Sequence, residues 1–123
     1  MRLLLDTHAV LWWLAGSARL GTRARTAIER AGPGALVSAA SVWEAAIKRA
    51  AGKLESPDLA DAAAAAGLTF IPIDEHHAKL AGALPPIHRD PFDRMLVAQA
   101  MVENLTLVTA DPHIPKYDVR VLW

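Results

Sequence analysis

The chain has no cysteine. That excludes disulfides, thiolate zinc sites and a cysteine nucleophile, and it suits a reducing cytoplasm. It also lacks net charge: 13 lysines and arginines balance 13 aspartates and glutamates. On its face this argues against a generic basic nucleic-acid binder. No apolar run approaches the roughly 20 residues of a membrane helix, so no membrane partner is expected. The opening Met1-Arg2-Leu3-Leu4-Leu5 is interrupted by Asp6 too early for a signal peptide, whose apolar region needs about 7–15 residues, and reads as mature structure. No internal repeat or linker is visible. With 53% hydrophobic residues, 123 residues make one domain, 1–123, with a real core.

What is present is an alternation of short apolar runs and longer helical patterns. Strands are expected at Leu3 to Leu5, Ala35 to Ser38, Leu68 to Ile73, Leu105 to Thr109 and Val119 to Leu122. Pro72 marks the third as an edge strand. Helices are expected at Thr7 to Ala15, Arg19 to Arg30, Ser41 to Ala51, Pro57 to Ala66, Asp74 to Leu84 and Asp90 to Glu103. The second carries a basic face of Arg19, Arg23, Arg25 and Arg30. Ser41 and Glu44 have capping-box spacing. Asp90 precedes Pro91 as a cap precedes a first helical residue, and Asn104 is a plausible stop. Strands separated by helices predict an α/β fold with a parallel sheet of about five strands and helices on both faces.

The acids then fall in a pattern. Asp6 follows the first strand and Asp111 the fourth, at the carboxyl edge where ligands of open parallel sheets bind. Glu44 and Asp93 are expected in the first turns of helices that begin at that same edge. Each has an ordinary explanation: Asp6 as a cap, Glu44 as capping-box partner, Asp93 as a complement to the helix dipole, Asp111 as a turn residue. Their coincidence at one edge favours a site. Clustered carboxylates repel one another unless a cation compensates them, and hard oxygen donors suit Mg²⁺, with Mn²⁺ as a substitute. Asp90 is expected to cap its helix, with a possible outer role at the site.

Four segments, LLLDTHAVLWWL, SVWEAAIK, HRDPFDRMLVAQA and LTLVTAD, together resemble the PIN-domain family, and more narrowly the VapC-type toxins of toxin–antitoxin pairs. The resemblance covers essentially the whole chain. It implies a three-layer α/β/α fold and a metal-dependent endoribonuclease whose acidic positions map onto Asp6, Glu44, Asp93 and Asp111. In-line attack of water on a backbone phosphorus follows, with the metal neutralising charge. Thr7 falls where the family often has a hydroxyl residue. His8 stands where many relatives carry serine or asparagine. An antitoxin partner, a homodimer and a larger toxin–antitoxin assembly are implied too.

Lys48, Arg49 and Lys53 beyond Glu44, and Arg89 and Arg94 around Asp93, are the candidate RNA contacts, against solvated surface charge as the alternative. Trp43 with Ile47 suggests core or interface rather than a base-stacking platform. Trp12 or Trp13, with Ala62 to Ala66, suggests a groove for an antitoxin helix. The five histidines lack zinc-site spacing and read as surface or hydrogen-bonding residues. Two rivals remain: another metal-dependent phosphoryl-transfer enzyme, disfavoured because Asp6-Thr7-His8 lacks a second acid, and a non-catalytic RNA-binding or interaction module. Setting the four site acids aside leaves the rest of the chain at +4. Neutrality is thus compatible with an acidic pocket in a basic surround.

Overall fold

A computed structural model describes residues 1–123. Strand β1 (Leu3–Leu5) leads into helix α1 (Thr7–Ala15), then α2 (Thr22–Ala31). After a short 3₁₀ turn come β2 (Ala35–Ser38), α3 (Ala39–Ala50), α4 (Leu59–Ala65) and β3 (Thr69–Ile71). The chain returns through α5 (Glu75–Ala83) and α6 (Pro91–Glu103) to β4 (Thr106–Val108) and ends in β5 (Val121–Leu122). All strand pairs are parallel and the order is β3-β2-β1-β4-β5. The expected α/β/α architecture and the edge position of β3 are both found.

The period-2 geometry of strands divides the core. Leu3, Leu5, Ala35, Val37 and Val108 face α1, α2 and α4, whereas Leu4, Leu36 and Leu107 face α5 and α6. All three leucines of β1 are fully buried. This explains why the strand reads as a continuous apolar run rather than an alternating one.

Boundaries differ from expectation at two places that matter. Helix α2 begins at Thr22, because residues 17–20 form a turn in which the Arg19 and Leu20 amides bond Ser17. Helix α3 begins at Ala39, with no loop after β2. Ser38, the last residue of the strand, is its N-cap, and its hydroxyl accepts from the Ala40 amide at 3.0 Å. Ser41 is therefore inside the helix and there is no Ser41–Glu44 capping box. Helix α6 matches its signals: Asp90 caps it, Pro91 is its first residue, and Asn104 ends it with φ 56°.

One buried polar link crosses the layers. The Ser38 hydroxyl donates to Gln99 Oε1 at 2.6 Å, and Gln99 Nε2 donates to the Pro72 carbonyl at 3.2 Å. Gln99 is fully buried. It joins β2, α6 and the end of β3. Replacing it with alanine strands two polar groups and opens a cavity, so Gln99→Ala is expected to cost about 2–4 kcal/mol in urea denaturation. A loss below about 0.5 kcal/mol would show that the link contributes nothing net.

His77 is another buried polar residue. Its Nδ1 accepts from the Asp74 amide and its Nε2 lies 2.9 Å from Glu103 Oε1, completing a capping box at the start of α5. No helix is long and apolar enough to cross a membrane.

Candidate metal centre

β1 and β4 are adjacent, with Leu5 paired to Val108. The chain leaves them on opposite sides of the sheet, so their carboxyl ends flank the topological switch point where open α/β folds bind ligands. Asp6 and Asp111 lie just beyond these ends. A cavity of about 430 Å³ opens there, lined by Asp6, Glu44, Asp93 and Asp111 together with Thr7, Lys48, Asp90 and His113. The four acids proposed from sequence thus face one space.

Each acid is held locally. Asp6 caps α1: its Oδ1 accepts from the Ala9 amide at 2.7 Å, and its own amide extends the β1–β4 ladder by donating to the Val108 carbonyl. Glu44 sits in the second turn of α3, not the first, because the helix starts at Ala39. Its Oε1 accepts from the Thr7 hydroxyl at 2.6 Å, and its Oε2 is 2.9 Å from Lys48 Nζ. Thr7 Oγ1 is also 2.9 Å from Ser41 Oγ. A hydroxyl has one proton, so Ser41 donates to Thr7 while Thr7 donates to Glu44. Asp90 accepts from the Phe92 amide at 2.8 Å and the Asp93 amide at 3.3 Å, which places Asp93 on the first turn of α6.

His88 is the residue that sequence reasoning did not single out. Its Nε2 lies 2.7 Å from Asp111 Oδ2 and 3.1 Å from Asp93 Oδ2. Its Nδ1 accepts from the Asp90 amide at 3.1 Å. That bond leaves the proton of the neutral ring on Nε2, between the two carboxylates. The ligand atoms of His88, Asp93 and Asp111 lie within 4.8 Å of one another, close enough to share a metal ion if that proton is displaced. Nothing in the spacing of residues 88, 93 and 111 announces this, because the contact depends on how the loop before α6 folds.

The electrostatics are those of crowded negative charge. Burial pushes the Asp93 carboxyl up to about 7, Asp90, Asp111 and Asp6 add to the rise, and His88 opposes it. Burial also raises Asp6, against hydrogen bonds from Thr109 and Ala9. At Asp111 burial acts upward too, but the His113 amide and His88 outweigh it and the carboxyl is lowered. The Glu44 hydrogen bond raises the Lys48 ammonium, which burial opposes. An acid driven towards neutrality by burial and by neighbouring carboxylates is what a bound cation would relieve. The donor set, carboxylate oxygens with no thiolate, fits Mg²⁺ or Mn²⁺.

The basic candidates separate. Lys48 lines the acidic cavity itself. Arg49 is exposed and 3.8 Å from Asp58, and Lys53 and Arg89 are exposed or nearly so. Arg94 is not a free cation. Its guanidinium donates to the carbonyls of Ala81, Leu84, Pro85 and His88 at 2.9, 2.9, 3.0 and 3.3 Å. These bonds make the guanidinium a brace for the loop that carries His88.

The tryptophans take separate environments. Trp43 is 62% exposed and Ile47 45% exposed, so neither is core. Trp43 meets Phe92 edge-on at 5.2 Å. Trp12 lines the acidic cavity, stacked on His8 and edge-on to Trp123. Trp13 lies under the Arg25 guanidinium.

The fold and site define a parallel α/β/α domain with an acidic pocket at its switch point. Residues 3–120 match the family model of the PIN domain, and the chain belongs to that family. A search of curated protein sequences finds no relative. Among solved structures, the chain is similar to VapBC2 from Rickettsia felis bound to a promoter DNA fragment (TM-score 0.73, 14% identity, covering 99% of this chain and 98% of that one). It is similar to a toxin–antitoxin complex from Klebsiella pneumoniae (TM-score 0.69, 20% identity, 98% and 96% covered). DNA-bound VapBC from Salmonella typhimurium gives a TM-score of 0.69 at 16% identity, with 99% and 97% covered. At these identities the likeness establishes the fold.

Proposed function

We propose that this PIN-domain protein is a Mg²⁺-dependent endoribonuclease, the toxin of a toxin–antitoxin pair. The observation that carries the proposal is the convergence of Asp6, Glu44, Asp93 and Asp111 on one cavity at the switch point, with Asp93 pushed up to about 7 by burial and like charge.

These four acids would hold the ion, which when bound supplies charge neutralisation on a phosphoryl group and a more acidic water. Thr7 orients Glu44, and Ser41 orients Thr7. His88 keeps a proton at Nε2 between Asp93 and Asp111, and Asp90 fixes that tautomer. Lys48 balances Glu44 and borders the space a phosphate would enter.

Arg49, Lys53 and Arg89 are proposed as RNA contacts, and Arg94, held by four carbonyls, is proposed to act by bracing the loop that carries His88. An antitoxin partner is supported by the similar folds seen in VapBC and toxin–antitoxin complexes. A homodimer is supported by the exposed face of α3, where Trp43 and Ile47 stand one turn apart. A larger assembly of toxin and antitoxin would combine the two. A cytoplasmic location accords with the absence of cysteine.

The test is cleavage mapping on total cellular RNA with Mg²⁺, with Mn²⁺ and with EDTA. Discrete cuts that need the metal, and vanish in Asp6→Ala, are expected. Metal-independent cutting, or none, would refute the proposal, and turnover of small phosphoesters without RNA cleavage would transfer the site to another phosphoryl-transfer reaction.

A further inference from the structure

The basic face of α2 is not used by anything described so far. Four arginines of the chain are committed by hydrogen bonds: Arg2 to the Glu103 carbonyl, Arg25 to the Ser17 carbonyl, Arg94 to four carbonyls and Arg120 to Asn104. Arg23 and Arg30 have no ion pair or hydrogen bond, and both line one open groove of about 510 Å³. They are seven residues apart, so they share a face of α2 and stand about 10 Å apart along it. Thr22 and Thr26 line the same groove, and no acidic side chain does. Glu29, the one acid of α2, points about 100° away from Arg30.

The groove runs up to the acidic cavity. Its floor includes Leu122, and the next residue, Trp123, is a wall of that cavity. Gly21, the cap preceding Thr22, is packed so closely on Trp123 that an added Cβ would lie 3.2 Å from its ring. The Gly21–Thr22 and Leu122–Trp123 junctions thus form one rim between the two spaces.

We propose that this groove carries the phosphodiester backbone of the RNA strand as it runs out from the cut site, held by Arg23 and Arg30 and by the Thr22 and Thr26 hydroxyls. The inference rests on the ribonuclease reading above. It follows from the chemistry of the lining: two free guanidinium groups and two threonines, with no acidic side chain among them, next to the cavity where a phosphate would react. Backbone contacts of this kind position a strand without reading its bases.

The experiment compares wild type with the Arg23→Ala/Arg30→Ala double variant on two substrates, taken from a mapped cleavage site. One RNA is about 20 nucleotides long and the other is cut down to the few nucleotides around the scissile bond. For the long RNA, kcat/KM is expected to fall on the order of tenfold in the variant, with kcat unchanged, and its salt slope to become shallower by about 1.4, or about 0.7 for each lost single-strand phosphate contact. For the short RNA the two proteins should be alike. Equal losses on both substrates would mean that the arginines act through the fold and would overturn the proposal. Unchanged RNA kinetics with weaker binding of the cognate antitoxin would also overturn it, in favour of an acidic protein segment as occupant. A wild-type protein that cuts RNA without regard to Arg23 and Arg30 refutes the groove alone; one that neither cuts nor binds RNA refutes the ribonuclease reading as well.

Discussion

Asp93→Asn is expected to abolish RNA cleavage, by a factor of at least about 10³, and at the same time to raise the melting temperature of the metal-free protein at pH 8. The two effects share one cause. Asp93 is a partly buried acid among Asp6, Asp90 and Asp111, and its carboxyl is pushed up from 3.8 to about 7. A carboxyl that holds its proton more tightly in the folded state than in the unfolded one costs stability as pH rises. The cost begins to accrue above 3.8, grows through the interval, and is complete above about 7. Asparagine keeps the shape and removes the charge, which should return about 1–3 kcal/mol at pH 8 and little at pH 4. That corresponds to a melting shift of several degrees for a domain of this size.

A divalent ion should repeat this gain in the wild type by occupying the site, more at pH 8 than at pH 5, because protons compete for the same oxygens. In Asp93→Asn the ion should stabilise much less. Thermal melts of both proteins, with Mg²⁺ and with EDTA at the two pH values, provide the check. A variant that melts lower than wild type in EDTA at pH 8 would remove the like-charge argument. Retained cleavage would remove Asp93 from the catalytic set.

Arg94→Ala is expected to be the most damaging single change outside the hydrophobic core. The guanidinium joins the end of α5, through Ala81 and Leu84, to the Pro85–Asp90 loop. The same loop is held by Tyr117, whose hydroxyl accepts from the His88 amide at 2.8 Å and donates to the Pro85 carbonyl at 2.9 Å. Charge-assisted bonds to neutral acceptors contribute about 1.5–3 kcal/mol each, though several on one group do not add fully. A net loss of about 3–5 kcal/mol is expected in urea denaturation. Arg94→Lys should recover only a small part, since an ammonium cannot reach four acceptors spread around a planar fork.

Activity should fall further than the folded fraction accounts for, because the loop sets His88 between Asp93 and Asp111. An RNA-contacting arginine would behave differently. Its loss would weaken RNA binding and leave the denaturation curve where it was, and that outcome would reinstate the sequence expectation.

The contrast between Asp93 and Arg94 shows what could be read in the sequence. The layered fold was legible because β1 is apolar at every position while α6 announces both its ends, through Asp90-Pro91 and Asn104. The acids were legible because strand ends and helix starts share one edge of a parallel sheet. Ser38 and Ser41 were a different case. Either could cap a helix, and only the direct passage from β2 into α3 decides for Ser38. That decision frees Glu44 from a capping role and moves it to the second turn.

His88 and Arg94 were harder still. A histidine's partners 23 residues away, or an arginine's four carbonyls, leave no periodic trace in a chain. Trp43 shows a related limit: α3 is apolar on the side of Ala45, which is buried, and again on the side of Trp43 and Ile47, which is exposed. Pattern alone cannot rank two apolar sides of one helix.

The adjacency of β1 and β4 also bears on when the site can exist. Asp111 is added more than a hundred residues after Asp6 during synthesis. Central strand β1 has no partner on its β4 side until Thr106 to Val108 have been made. A ribosome-bound fragment can therefore carry Asp6, Glu44 and Asp93 and still lack both the last acid and the strand that positions it. Long-range pairing of this kind closes late in folding. On the ribonuclease reading proposed above, the order of synthesis acts as a delay: the four acids come together only once β4 has paired with β1.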